Sequence, residues 1–209
     1  MDRETRLNNR KIIEIEEEQR VYQGFFQINL VRFRHSLYRG GWSETVAREV
    51  FRRGDCVALL PYDPRTDQVV LIEQLRVGAL HTGEQAWLTE IVAGIVEAGE
   101  TPDGVAYREA REEAGCRIDA LHRIGRFYTS PGGSSECVTL YCGRVDAEGL
   151  GGIHGLREEH EDICVEVVQL EEALEKVNSG AICSAIPMIA LQWLALNRQH
   201  LIACWNRES

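Results

Sequence analysis

No Cys-x-x-Cys pair occurs in this sequence, no apolar run is long enough to cross a bilayer, and there is no excess of positive charge. Each absence removes a class of protein. The seven cysteines (56, 116, 137, 142, 164, 183 and 204) are odd in number and scattered, which excludes a disulfide framework and a thiolate zinc site as organising principles. Most stand among apolar residues and read as small core side chains suited to a reducing cytoplasm. A membrane span needs about 20 apolar residues, and the first twenty residues, MDRETRLNNRKIIEIEEEQR, are too charged for a signal peptide. A formal net charge of −10 gives no bulk attraction for nucleic acid or anionic lipid. A small phosphate-bearing ligand remains compatible, provided local arginines or bound cations override the field. The expectation is a cytoplasmic protein with neither a nucleic-acid nor a membrane partner.

What is present is ordinary globular material. The chain of 209 residues, 44% apolar and 27% charged, can build one medium domain with a smaller appendage. Gln23 to Arg34 alternates apolar and polar residues, Arg39-Gly40-Gly41 supplies a turn, and Trp42 to Phe51 is again extended, so the first fifty residues predict an antiparallel ribbon or small sheet. Further strands are expected at Cys56–Tyr62, Val69–Gln74, Trp87–Ala93, Ile124–Tyr128, Glu136–Val145 and Ile163–Gln169. Leu75–Ala86 reads as a loop or irregular strand, and Gly149–Asp162 as a glycine-rich acidic loop. Helices are expected at Pro102–Ala114, Glu171–Ser179 and Ser184–Arg198, the last amphipathic through Ile186, Ile189, Ala190, Trp193 and Leu194. Strands mixed with a few helices, without a regular βαβ repeat, predict an α+β chain. Its architecture is an α/β/α sandwich around a mixed sheet, with an N-terminal antiparallel β-sheet appendage. The expected domains are 1–52 and 53–209.

The most informative stretch is residues 94–116, GIVEAGETPDGVAYREAREEAGC. Thr101 suits a helix N-cap, Pro102 the first helical position, Asp103 the positive end of the dipole, and Gly115 the position past the last turn. At roughly 100° per residue, Glu109, Glu112 and Glu113 share one arc, while Ala106, Ala110 and Ala114 line the neighbouring one. Arg108 can pair with Glu112 or reach back to Glu100. Crowded carboxylates repel and raise one another's pKa, a cost that a hard divalent cation removes. Mg²⁺ takes oxygen ligands and binds substrate phosphates, so this face suits metal-assisted phosphoanhydride chemistry. Glutamates alone would equally suit a solvated acidic face.

The full pattern, Gly-x5-Glu-x7-Arg-Glu-Ala-x-Glu-Glu-x-Gly-Cys, resembles the Nudix box at every fixed polar and glycine position: Gly94, Glu100, Arg108, Glu109, Glu112, Glu113 and Gly115. It departs at Cys116, where a bulky aliphatic is usual, and at the small Ala110. Pro131, fifteen residues past Cys116 in Ser130-Pro131-Gly132-Gly133, is similar to the subgroup acting on ADP-ribose. So are Tyr22–Arg34, Arg48–Gly54, Leu71–Arg76 and Gly152–Asp162, which resemble the bacterial ADP-ribose pyrophosphatases.

That resemblance implies Mg²⁺-dependent hydrolysis (Mn²⁺ as an alternative) of a nucleoside diphosphate linked to another group, with ADP-ribose yielding AMP and ribose 5-phosphate. It implies a metal site at the Ala93 carbonyl, Glu109 and Glu113, with Glu112 as an additional or indirect ligand and Glu161 as a further contact. Glu100 orients rather than ligates. The implied general base is Glu159, with Glu158 one register step away and His154 and His160 as alternative bases or plain loop residues. Substrate contacts carry over to Phe25 and Phe26, at least one of which must pack if both lie on a strand. They carry over also to Arg48, Glu49, Arg53, Arg76, Ile95, Ser130, Pro131, Gly132 and Glu136. The resemblance further implies a homodimer with exchanged N-terminal sheets. Another nucleotide sugar, such as GDP-mannose, is the alternative substrate, and a non-catalytic ADP-ribose sensor is the alternative from another class.

Overall fold

The structure, a computed structural model, describes residues 11–80 and 86–208. Two compact units form: the described part of Met1–Gly54 with Tyr128–Glu136, and Asp55–Phe127 with Cys137–Ser209.

The first unit is a three-stranded antiparallel sheet in the order β1 (Ile13–Gln23), β2 (Gln27–His35), β3 (Val46–Arg52). The strand β1 falls within the first fifty residues, where a ribbon or small sheet is expected, but ahead of the strands delimited from alternation. Its Ile-Glu alternation is strand-like, yet all eleven residues are exposed, so no apolar face advertises it. Its carboxylates lie against arginines of the other two strands: Glu14 and Glu16 pair with Arg34 and Glu17 with Arg32 on β2, and Glu18 with Arg52 on β3. Gln23 pairs directly with Gln27, which leaves Gly24, Phe25 and Phe26 as the hairpin connection. The expectation of an unbroken strand from Gln23 to Arg34 is corrected here: neither phenylalanine is on a strand. Residues 128–136 join this unit through Phe51, whose N–H donates to the Gly133 carbonyl (2.8 Å) and whose carbonyl accepts from Ser135 N–H (3.0 Å).

The second unit holds an eight-stranded mixed sheet. It comprises β4 (Asp55–Asp63), β5 (Gln68–Leu75), β6 (Trp87–Glu90), β7 (Val92–Ile95), β8 (Ala120–Tyr128), β9 (Cys137–Arg144), β10 (Gly152–His154) and β11 (Ile163–Gln169). The main order is β10-β11-β5-β4-β9-β8. The β4–β9 pair is parallel, whereas β10–β11, β11–β5, β4–β5, β4–β7 and β5–β6 are antiparallel. The expected single strand Trp87–Ala93 is two: β6 pairs with β5, the chain breaks at buried Ile91, and β7 crosses to β4.

Side-chain alternation along β4 builds both cores. Val57 and Leu59 face α1 (Pro102–Ala114), joining Val105, Ala106, Ala110 and Ala114. Ala58, Leu60 and Tyr62 face the opposite layer of α2 (Leu170–Ser179) and α3 (Ala185–Glu208), joining Ala173, Leu191, Leu194 and Trp205. This is the expected α/β/α sandwich. The alanines of α1 let its backbone lie close to the sheet, which is what brings its glutamates within reach of β7.

The last helix runs ten residues past the expected end. The polar stretch Asn197–His200 reads as a stop, but Leu201 and Trp205 beyond it are buried. Ile189, assigned to the core face, is instead 39% exposed. No helix among the described residues is long and apolar enough to cross a membrane. The segment Leu75–Ala86 contains a 3₁₀ turn at Val77–Ala79, and residues 81–85 lie outside the described ones.

Candidate active and metal-binding site

Helix α1 begins and ends where its capping residues dictate. The Thr101 hydroxyl accepts from Gly104 N–H (3.2 Å), and Gly115 adopts the left-handed conformation at φ 61°. The fixed ends set the rotation of the helix. Glu113 falls on the sheet side, 3% exposed, where one carboxylate oxygen accepts the Ala93 N–H of β7 at 2.8 Å. One turn earlier, Glu109 lies across Gly94 so closely that a Cβ there would stand 1.8 Å from its Oε1. The missing side chain at Gly94 thus leaves the space that this carboxylate occupies.

Arg108 gathers the rest. Its guanidinium meets Glu109 and Glu112 at 2.9 Å each and Glu100 at 3.2 Å, so both partners foreseen for it are engaged. Glu100 also accepts the Glu97 N–H at 3.0 Å. That bond, followed by Arg108, holds its carboxyl below the usual range. Glu100 therefore ties the loop before α1 to the helix.

Electrostatics separates Glu109 and Glu113 from the other acids. Burial pushes Glu113 up to about 8; the charges of Glu109 and Glu161 add to this, while Ala93 N–H and Arg76 oppose it. Burial likewise pushes Glu109 up to about 7, against Arg108 and with help from Glu112 and Glu161. Glu161 comes from the acidic loop, which is not featureless: it contains β10 and a 3₁₀ turn at Arg157–Glu159. The Glu161 carboxylate accepts Leu156 N–H at 3.0 Å. Glu159 is exposed on that turn, as is Glu158.

Among the described residues no group of three or more His, Cys, Asp and Glu side chains forms a ready-made metal cage. The donors nevertheless fit a hard divalent cation. They are carboxylate oxygens on one helix face and one loop, beside a strand backbone, with two carboxyls raised by burial and by their neighbours' negative charge. Arg108 offsets part of this negative charge, and an oxygen-seeking divalent cation would supply the rest.

The remaining expected site residues are distributed over both units. Ile95 ends β7 and is 40% exposed. Arg76 follows β5, with its Nε donating to Glu90 at 2.7 Å. Sequence reasoning missed Glu90, although an acid inside the apolar strand Trp87–Ala93 is itself a signal of a buried partner. In the first unit, Phe26 packs edge-on against Phe51 (4.9 Å between centroids) beneath the Arg53 guanidinium (5.4 Å), and Phe25 is 89% exposed. Arg53 pairs with Glu136 at 2.7 Å, and Glu136 also accepts the Thr129 hydroxyl at 2.8 Å. Phe26, Arg53 and Glu136 thus form one cluster. Arg48 and Glu49 are exposed on β3. Ser130, Pro131 and Gly132 form an exposed turn in which the Ser130 carbonyl accepts from Gly133 and Ser134.

The NUDIX domain family matches residues 52–183. The chain is 48% identical over 193 residues to the ADP-ribose pyrophosphatase of Escherichia coli K12, covering 92% of each. It is 44% identical over 199 residues to that of Haemophilus influenzae, covering 94% of this chain and 92% of the relative. A GDP-mannose pyrophosphatase of Cronobacter sakazakii is 38% identical over 154 residues, covering 71% and 78%. Among solved structures, one titled as an ADP compounds hydrolase superposes with a TM-score of 0.67 at 19% identity, covering 91% of this chain and 95% of that one, a likeness of fold. With the box residues on α1 and β7 and the matching family spanning them, the chain belongs to the Nudix hydrolase superfamily.

Proposed function

We propose that the protein hydrolyses the diphosphate of ADP-ribose, giving AMP and ribose 5-phosphate, with Mg²⁺ as its cofactor and Mn²⁺ as a substitute. The observation that carries the reading is the pair of carboxylates, buried Glu113 and partly buried Glu109, held on one face of α1 against β7. The likeness to ADP-ribose pyrophosphatases over 92–94% of the chain supports the substrate.

In this reading Glu109, Glu113, Glu161 and the Ala93 carbonyl hold the metal, with Glu112 acting alongside or through Arg108. The cation would supply charge neutralisation for the diphosphate and acidify the attacking water. Glu159 accepts the proton of that water, and its place on an exposed turn lets it approach when substrate is bound. Arg76, fixed by Glu90, and Arg53, fixed by Glu136, offer planar guanidinium groups suited to phosphate and to stacking. Phe25 and Phe26 would stack on the adenine. Arg48 and Glu49 would contact base or diphosphate, and Ile95, Ser130, Pro131, Gly132 and Glu136 would surround the terminal ribose. A homodimer built through the N-terminal sheet belongs to the same reading.

GDP-mannose is the second candidate, favoured by the 38% identical relative, whose match covers less of the chain than the ADP-ribose enzymes do. Side-by-side assays with both substrates and Mg²⁺ decide between them. AMP release with the higher kcat/KM is expected, and a higher kcat/KM for GDP-mannose would overturn the assignment. A sensor without catalysis would bind ADP-ribose and release no AMP.

A further inference from the structure

The acidic loop is fastened to the end of α1 by a histidine ring and a glycine backbone. Gly155 N–H donates to the Glu112 carbonyl at 3.2 Å, one of the last-turn carbonyls that a helix leaves without an internal partner. The His154 ring lies directly on Gly115, the cap of α1: a Cβ at Gly115 would stand 2.7 Å from His154 Cε1. The ring is also held by Nε2, which lies 3.0 Å from the Gly151 carbonyl. A carbonyl can only accept, so Nε2 carries the proton in this contact.

The other side of the same tripeptide seats Glu161. Gly155 has φ 98°, and a Cβ on it would stand 2.7 Å from the Glu161 Cβ, so the two chain segments meet with no room for a side chain between them. Leu156 N–H donates to the Glu161 carboxylate at 3.0 Å. Its carbonyl accepts the N–H groups of Glu159 (3.0 Å) and Glu161 (3.1 Å). The backbone of residues 154–156 thus grips the end of the box helix on one side. On the other it grips the residue whose charge reaches Glu109 and Glu113.

We propose that His154 and Gly155 are positioning residues that register the acidic loop on the carboxy-terminal end of α1, setting the Glu161 carboxylate against those of Glu109 and Glu113. The inference rests on the reading of these carboxylates as a Mg²⁺ site. It also gives Gly115 a second role: besides capping α1, it leaves the space that the imidazole fills. His154 acts through the loop and not as a base.

The test is Mg²⁺ titration by calorimetry on the full chain, alongside kcat and KM with ADP-ribose and melting curves in EDTA. For His154→Ala, Mg²⁺ affinity and kcat should each fall by about 10–100-fold, the usual effect of losing a group that orients a ligand. KM and the metal-free melting temperature should stay near wild type. His154→Gln, whose amide can still donate toward the Gly151 carbonyl, should recover most of the loss. Gly155→Ala should reproduce the loss with some added strain from its positive φ. A His154→Ala protein with wild-type Mg²⁺ affinity and kcat overturns the inference, as does one that melts earlier yet binds Mg²⁺ normally. If the wild type binds Mg²⁺ but leaves ADP-ribose intact, the substrate reading fails while the affinity series still decides this one. If it binds no Mg²⁺, both fail.

Discussion

Replacing Glu113 by Gln should make the metal-free protein more stable, although it removes a residue placed in the metal site. Glu113 is 3% exposed, and burial raises its carboxyl from 4.5 to about 8. In the unfolded chain the group has lost its proton by neutral pH, whereas in the native, metal-free protein it retains it. The native state therefore binds more protons between the two values, and stability falls as pH rises from about 4.5 to about 8, then levels. One pKa unit is worth about 1.4 kcal/mol, so the ceiling at high pH is about 5 kcal/mol. Local relaxation and water entry reduce this to about 2–4 kcal/mol.

Glutamine is nearly isosteric and uncharged, and its carbonyl oxygen can still accept the Ala93 N–H. The Glu113→Gln protein in EDTA should thus melt above wild type at pH 8.5, by about 5–15 °C for a chain of this size, and close to wild type near pH 5. Added Mg²⁺ should raise the wild-type melting temperature and close the gap, with little effect on the variant, whose turnover should be lost. Differential scanning fluorimetry at both pH values, with EDTA and with Mg²⁺, measures all of this. A variant that melts at or below wild type at pH 8.5 in EDTA would refute the reasoning, as would a gap that does not change with pH.

Gly94→Ala should drive a Cβ into the Glu109 carboxylate; because that group is the far end of a flexible side chain, the main cost should be about 10–100-fold in Mg²⁺ affinity and not fold stability, as read by titration and melting. Trp205→Ala should cost about 3–5 kcal/mol in urea unfolding, because the indole is buried at 2% exposure in the α2–α3 layer; a cost under 1 kcal/mol would argue that α3 does not pack beyond Arg198. Thr101→Ala should cost about 1 kcal/mol through loss of the cap bond to Gly104 N–H, with Thr101→Ser close to neutral.

The elements legible from the sequence were those whose signals are local. The helix α1 has the expected bounds, Pro102 and Ala114, because Thr101, Pro102 and Gly115 each act within one turn of themselves. The mixed sheet was legible in its apolar strands, since β4 and β9 are buried along nearly their whole length. What escaped depends on partners distant in sequence. The strand β1 has no buried face, and its glutamates are matched by Arg32, Arg34 and Arg52 on other strands. The break at Ile91 exists because one segment serves two neighbours, β5 and β4, and no periodicity records that.

The site divides along the same line. The three glutamates of α1 share a face by helical geometry alone, so their grouping could be read from spacing. That Glu113 is the buried one, bonded to Ala93, follows from how the sheet meets the helix. The turn at Phe25–Phe26 shows the limit most clearly. Alternation suggested a continuous strand, but the Gln23–Gln27 pairing closes a hairpin there. The consequence is chemical as well as topological: on a strand the two rings would have to face opposite ways, whereas in the turn they meet edge to face at 4.8 Å. One can then pack on Phe51 under Arg53 while its neighbour stays open to solvent. The turn thus fixes the exposed ring through its neighbour, an arrangement that alternation along a strand could not have produced.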